Sequence, residues 1–190
     1  GAIVPAVRLA NEYEIMGFLD NTLNGTIVAG IPVVGGTDPL PDSIKAEAAC
    51  IAIGNNNERA KMAKQLRQKG LRIINAIHPT ASIAQDAFLG EGIYIGPSAI
   101  IGSRVKIGHN VIVGSAVVIE HDSIIEDNVH IAPGVSVDTR VRIKEGSYIG
   151  IGTKIIPDIT IGKNAVIGAG VVVTQDVGSS PNIPEKYTGE

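Results

Sequence analysis

Tryptophan is absent from this 190-residue chain, phenylalanine occurs twice, and aromatic residues together make up 3% of it. A core built on large rings is thereby excluded, and the 44% of hydrophobic residues must pack mainly as Ile, Val, Leu and Ala. Cysteine occurs once, as Cys50 in the apolar run from Ala48 to Ile53. An internal disulfide is impossible, and the context is that of a buried small hydrophobe in a reducing compartment. Positive charge is not in excess: the net charge is −3. Phosphate-backbone contacts need clustered Lys and Arg, so no nucleic-acid partner is expected. No apolar stretch approaches the ~20 residues of a membrane span, and no signal peptide opens the chain. A soluble, cytoplasmic protein without a membrane span is expected.

What the chain has in plenty is glycine, 23 residues, together with a strict spacing. From Ile77 to Val173 an aliphatic residue recurs at every sixth position, seventeen times without a break. Glycine often follows it, as at Gly96, Gly102, Gly108, Gly150 and Gly168. Four positions after it stands a small or β-branched residue, such as Ala99, Val105, Val117 or Val135. Neither a helical period of 3.6 nor strand alternation gives a six-residue repeat. A coil of short parallel strands does, each unit forming one flat side whose aliphatic side chain points inward and stacks on the next coil. Gly, Asn and Asp suit the corners, where positive φ is needed.

Residues 1–76 read differently. Glu14 to Asp20 and the apolar Ala48 to Gly54 read as strands, Glu58 to Lys69 as a helix capped by Asn57 and stopped by Gly70, and Leu71 to Ile74 as a third strand. Strand, helix and strand within about thirty residues form a βαβ unit with a small parallel sheet. Ligands bind beyond the carboxyl ends of such strands, where Asp20 and Gly54-Asn55 fall.

The hexads resemble the hexapeptide repeat of left-handed β-helix proteins, in which three units make one triangular coil; seventeen units give between five and six coils. Phe18-Leu19-Asp20-Asn21, Ile53-Gly54-Asn55-Asn56 with Arg59, and Ile77-His78-Pro79 narrow the match. So do Val118-Ile119-Glu120-His121-Asp122, His130 and Ile167-Gly168-Ala169-Gly170. Together they resemble the bacterial family of sialic acid O-acetyltransferases and N-acetyltransferases of UDP-4-amino-4,6-dideoxy sugars, over roughly residues 12–177. The implied architecture is a Rossmann-like nucleotide-sugar domain at 1–76, a left-handed β-helix acyl-CoA and catalytic domain at 77–178, and a tail at 179–190. Relatives of this fold form trimers. The unbroken repeat leaves no loop to clasp a ligand, so a homotrimer with sites between subunits is expected. Two departures stand out. The family's first strand with its Gly-Gly-His-type turn has no counterpart after Gly1-Ala2, so missing residues are expected there. The family's Val-Pro-Ala-Lys-like tail is replaced by Val177-Gly178-Ser179-Ser180-Pro181.

Acyl transfer from a thioester to an amine needs a base for the amine proton and a donor for the oxyanion. The four histidines are His78, His109, His121 and His130. His121 stands at a corner between Glu120 and Asp122. The resemblance implies that His121 is the general base and that Asp122 raises its basicity. Family members often carry glutamate there, and the shorter aspartate implies a weaker or water-mediated bond. His130 lies nine residues on, half a coil away, so the two histidines can meet only across a subunit interface. The resemblance places His130 at the acetyl end of acetyl-CoA, Ile151 and Ala169 along its pantetheine and nucleotide, and Asp20, Asn21 and Gly54 at the sugar nucleotide. Arg59 reads either as a neutraliser of phosphate or as a partner for charges on its own helix. His78 and His109 read as structural. No metal is expected: a γ-type zinc carbonic anhydrase needs a close histidine pair, whereas the separations here are 31, 12 and 9.

The expected activity is acetyl-CoA-dependent N-acetylation of a nucleotide-linked amino sugar, such as a UDP- or GDP-4-amino-4,6-dideoxy sugar, in bacterial glycan biosynthesis. Transfer is direct, because no activated Ser or Cys offers an acyl-enzyme. O-acetylation of sialic acid or a related sugar hydroxyl is the alternative within the same chemistry. A non-catalytic scaffold binding a sugar nucleotide is the alternative of another class.

Overall fold

The computed structural model describes residues 3–10, 13–42, 44 and 46–183. From Ala76–Ile77 to Val172–Val173 a two-residue strand occurs every six residues. These strands stack into three parallel sheets. Each strand pairs with the one a full coil away, as Lys106 does with Ile124 and His130 with Tyr148. The result is a left-handed parallel β-helix with three flat faces. The first face runs from Ala76–Ile77, the second from Ser82–Ile83 and the third from Phe88–Leu89.

The hexad aliphatics explain why the coil closes. Ile95, Ile107, Ile119, Ile131, Ile143 and Ile167 are 0% exposed, each stabilising by ~1.5–3 kcal/mol relative to an exposed side chain. The smaller residues four places on, such as Ala99, Val105 and Val117, are equally buried and fill the space near the corners. Ladder pairing continues past the last hexad: Val177 bridges Ile161, and Asn182–Ile183 pairs with Val166–Ile167. Of the tail expected at 179–190, residues 184–190 lie outside the described residues.

Three columns of corner residues run up the coil. One column holds Gly92, Asn110, Asn128, Gly146 and Asn164, and a second holds Ser98, Ala116, Gly134, Gly152 and Gly170, all at positive φ. The third, between the second and third faces, holds Arg104, Asp122, Arg140 and Asp158 at φ between 58° and 65°. It alone has neither Gly nor Asn, so four residues with ordinary side chains adopt a conformation costing ~1–2 kcal/mol each in general.

The N-terminal unit contains the expected strand–helix–strand unit, Ala48–Ala49, Asn56–Gln68 and Arg72–Ile73 with its two strands parallel, but with shorter strands and a sheet that is split. It comprises α1 (Ile3–Ala10), β1 (Phe18–Leu19), β2 (Ile27–Val28), β3 (Ile31–Gly35), β4 (Ala48–Ala49), α2 (Asn56–Gln68) and β5 (Arg72–Ile73). The strand expected over Glu14 to Asp20 shrinks to β1, and that over Ala48 to Gly54 shrinks to β4. The sheet splits: β1 pairs in parallel with β3, β3 continues antiparallel to β2, and β4 pairs only with β5. The hairpin of β2 and β3 turns on Ala29 and Gly30, both at positive φ, which suits a two-residue turn joining right-twisted strands. The cap of α2 is Asn55 rather than Asn57: its side chain accepts from the amides of Asn57 at 3.0 Å and Glu58 at 3.1 Å. Gly70, at φ 76°, ends the helix as expected. Helix α1 lays Ala6 and Val7 on Ala76 and Tyr94, covering the start of the first face.

Candidate active site

His121 follows the strand Val118–Ile119 and sits at the Arg/Asp corner. Its Nδ1 lies 2.7 Å from Oδ2 of Asp122. A carboxylate only accepts, so Nδ1 carries the proton and donates, leaving the Nε2 lone pair as the ring's basic site. Asp122 is therefore in direct contact with the ring, and the expected water-mediated bond is not needed. The reason lies one coil below. Arg104 reaches up with Nε 2.6 Å from Oδ1 and Nη2 2.8 Å from Oδ2 of Asp122. This fork, and then the His121 bond, hold the Asp122 carboxyl well below the usual carboxylate range. Asp122 is thus ionised wherever the imidazole can act as a base.

His130 lies on the first face, half a circuit from His121. The coil turns it toward the N-terminal unit, where its Nδ1 is 3.1 Å from the Gly54 carbonyl. Nδ1 must donate to that oxygen, so the neutral ring presents Nε2 as an acceptor. Tyr148 closes the other side, edge-on at a centroid distance of 5.0 Å. Burial lowers the His130 pKa from its ordinary value, the Gly54 bond opposes this, and the Arg59 charge adds to the lowering. The structure thus brings Gly54 and His130, read separately as substrate and cofactor residues, into contact within one chain. Gly54 is exposed, and a Cβ there would meet nothing within 4 Å.

Arg59 makes this meeting possible, and neither sequence reading of it holds. It is 1% exposed and faces carbonyls, not phosphate or carboxylate. Its Nε donates to Asn110 at 2.7 Å, Nη1 to Ile53 at 3.2 Å and Gly54 at 3.0 Å, and Nη2 to Asn128 at 2.9 Å and the Asn56 side chain at 2.7 Å. All five N–H groups are spent, and burial pushes its pKa down to about 10. Asn56 adds a bond of 2.8 Å to the Gly146 carbonyl. The turn Ile53 to Asn56 is thereby stitched to the coil.

Ile151 and Ala169 stack one coil apart at the corner that follows the first face, the edge along which His130 also lies. Ile151 is 56% exposed, and its carbonyl accepts from Gly170 at 2.8 Å. Asp20 and Asn21 are engaged in their own loops. Asp20 Oδ1 accepts from the Thr22 amide and hydroxyl and the Leu23 amide at 2.8, 2.7 and 3.1 Å. Asn21 Oδ1 accepts from the Thr37 amide at 2.7 Å, tying the end of β1 to the end of β3. Leu19 and Ile53 share one apolar cluster, so Asp20 and Gly54, one residue on in each case, leave the same small core. His78 bonds Thr80, and His109 accepts from the Glu91 amide. Among the described residues no group of three or more His, Cys, Asp and Glu is arranged to hold a metal.

Residues 2–66 match the PglD N-terminal domain, and residues 104–139 and 140–175 match the bacterial transferase hexapeptide family (six repeats). PerB from Caulobacter crescentus, solved with CoA and GDP-perosamine, is 30% identical, superposes with a TM-score of 0.89, and is matched over 94% of this chain and 86% of its own. This chain belongs to the bacterial sugar acetyltransferases of the hexapeptide-repeat superfamily. The acetyltransferase domain of PglB from Neisseria gonorrhoeae, in complex with acetyl coenzyme A, is 28% identical with a TM-score of 0.87 over 94% of this chain and 87% of that one. WeeI from Acinetobacter baumannii is 30% identical with a TM-score of 0.85, over 93% and 87%. As an acyltransferase the chain needs a base, and among the described residues His121 is the one histidine of the four whose ring bonds a carboxylate. No helix among the described residues is long and apolar enough to cross a membrane.

Proposed function

We propose that this acyltransferase moves an acetyl group from acetyl-CoA to the amine of a nucleotide-linked amino sugar, with His121 as the general base. The observation that carries this is the His121–Asp122 pair: Nδ1 is committed to an ionised carboxylate at 2.7 Å, so the basic Nε2 is left for substrate. The bound CoA and GDP-perosamine of PerB support the two substrates. Nε2 takes a proton from the amine as its nitrogen attacks the thioester carbonyl. The tetrahedral intermediate then collapses to the amide, and the expelled thiolate recovers the proton.

Acetyl-CoA lies, in this proposal, along the edge bearing His130, Ile151 and Ala169, and the sugar nucleotide sits against Asp20, Asn21 and Gly54. His121 and His130 occupy different sides of one coil, so each complete site draws its base from a neighbouring subunit of a homotrimer. The units 1–76 and 77–178 then act as the nucleotide-sugar and acyl-CoA parts. Thiol release from acetyl-CoA is measured with a panel of UDP- and GDP-linked 4-amino sugars, for the native chain and His121→Ala. A nucleotide amino sugar reacts, and the variant loses about a hundredfold or more in rate. Reaction with free sialic acid alone would replace amine by hydroxyl as the acceptor, and an unimpaired His121→Ala would remove the base.

A further inference from the structure

We infer that Arg104 is a positioning residue for the reaction, holding Asp122 in the one orientation that fixes the tautomer and direction of His121; this rests on His121 being the base. Three observations meet here. The first is the fork itself. Arg104 occupies both oxygens of Asp122, at 2.6 and 2.8 Å, and thereby sets the plane of the carboxylate whose Oδ2 also accepts from His121 Nδ1 at 2.7 Å. Asp122 follows His121 directly in the chain, so rotation about its side chain would break the ring contact, and the fork opposes that rotation.

The second is that Arg104 is itself fixed from below. Its Nη1 donates to Ser103 Oγ at 3.1 Å, and Ser103 Oγ donates to Asp86 Oδ2 at 2.7 Å. The Arg104 amide points at the other oxygen of Asp86, at 3.3 Å. An ordered line thus runs Asp86, Ser103, Arg104, Asp122, His121 up one corner over three coils. The third is backbone strain. Arg104 sits at φ 58°, where the equivalent places of the other two corner columns are mostly Gly or Asn. A long cationic side chain is retained in a left-handed conformation that generally costs ~1–2 kcal/mol.

The coil supplies its own control. Arg140 and Asp158 repeat the same fork at 2.6 and 2.8 Å, with φ of 58° and 65°. The residue before Asp158 is Pro157, so that fork has no imidazole to orient. Arg140 is also occupied by Asp158 and does not substitute for Arg104 at Asp122. If the forks only stiffen the corner, losing either has the same consequence. If Arg104 positions the base, only its loss reaches the chemistry. Arg104 and Arg140, the residues replaced, are both exposed, so each variant is expected to fold.

The experiment compares Arg104→Met, Arg104→Lys and Arg140→Met in the full chain. Steady-state kinetics with acetyl-CoA and the reacting nucleotide sugar are joined to nitrogen-15 NMR of the His121 ring. Arg104→Met lowers kcat about tenfold, the lower end for removing a supporting partner, with both KM values unchanged. Its His121 signal shows a mixture of Nδ1–H and Nε2–H tautomers in place of Nδ1–H alone. Arg104→Lys, which keeps charge but not the fork, recovers only part of the rate, and Arg140→Met stays within about twofold of the native chain. The inference is overturned if Arg104→Met keeps kcat and a single tautomer, or if Arg140→Met loses as much. Should Arg104→Met fail to fold, a fully active Arg104→Lys with an undisturbed tautomer overturns it equally. His121→Ala separates the two levels: if it stays active the base assignment itself falls, whereas if it is inactive and Arg104→Met is not, only the role of Arg104 falls.

Discussion

The two parts of this chain keep their shape by opposite means. In the coil the same contacts recur at each circuit, and the loss of one is shared with identical neighbours above and below. Leu89, Ile107, Ile125, Ile143 and Ile161 mark one face as a single aliphatic stripe. The N-terminal unit has no such redundancy. Its larger apolar cluster is centred on Leu40, Ile51, Ala63, Leu66 and Ile73, and it is attached to the coil by the apolar contact of α1 and by single polar groups, none of them repeated. Arg59 is the extreme case: one guanidinium serves Ile53, Gly54 and Asn56 on one side and Asn110 and Asn128 on the other. Repetition builds the rigid platform, and unique contacts place the ligand-facing turn upon it.

Removing Arg59 tests that contrast most severely. Arg59→Ala leaves several buried carbonyls without donors, at ~1–3 kcal/mol each, so the N-terminal unit is expected to lose about 3–5 kcal/mol. Hydrogen exchange should show Ile53 to Arg59 losing protection while Ile107, Ile125 and Ile143 keep theirs. Thiol release would fall with it, because Gly54 no longer meets His130. A uniform loss of protection along the whole chain would instead mean that the two parts fold as one cooperative body.

A smaller test lies inside the coil. A Cβ on Gly150 would stand 2.6 Å from the Ala169 nitrogen and the Gly168 carbonyl carbon, backbone atoms that cannot retreat without parting two coils. Gly150→Ala is expected to cost ~1–3 kcal/mol, as overpacking does generally. Gly134, at φ 70°, has nothing within 4 Å of its Cβ position, and Ala116 already occupies the same column at φ 54°. Gly134→Ala should therefore cost about 1 kcal/mol, the conformational penalty alone. Denaturation midpoints of the two variants read the difference, and equal losses would show that close coil approach carries no special weight at Gly150.

These contrasts also explain what could be read from the chain beforehand. Seventeen aliphatics at one spacing can satisfy only one kind of solid, so the coil and its inward residues were legible. The hairpin of Ile27–Val28 and Ile31–Gly35 was not, because it turns on Ala29-Gly30, without the Asn or Asp that usually announces such a turn. Arg59 looks like a surface charge because helix α2 is polar along most of its length, and nothing local reveals that carbonyls of a distant coil surround it. Arg104 was within reach. Asp86, Arg104, Asp122, Arg140 and Asp158 fall at full-circuit intervals, and once the repeat is granted their alternating charge predicts a corner of stacked ion pairs. Motif reading stopped at His121 and its neighbours in sequence, whereas in a coil the neighbours that matter are also those one circuit away.

The gentlest probe of the contrast is pH, because it acts on His130, the residue at which the two parts touch. Burial is the main cause of its lowered pKa, and the Arg59 charge works in the same direction against the Gly54 bond. The unfolded chain therefore takes up its proton at the ordinary value near 6.5, while the folded chain takes it up only at lower pH. Stability from this group is complete above about pH 6.5, declines as pH falls below it, and levels off once the folded ring is also protonated. His130→Gln keeps an amide donor for Gly54 and removes the titration. The melting temperature of the native chain minus that of the variant should shrink as the pH is lowered from 7.5 toward 5.5. A difference that grows on acidification would mean that the imidazolium is the form held between the turn and Tyr148, with Nε2 then a donor and not an acceptor toward the acyl group.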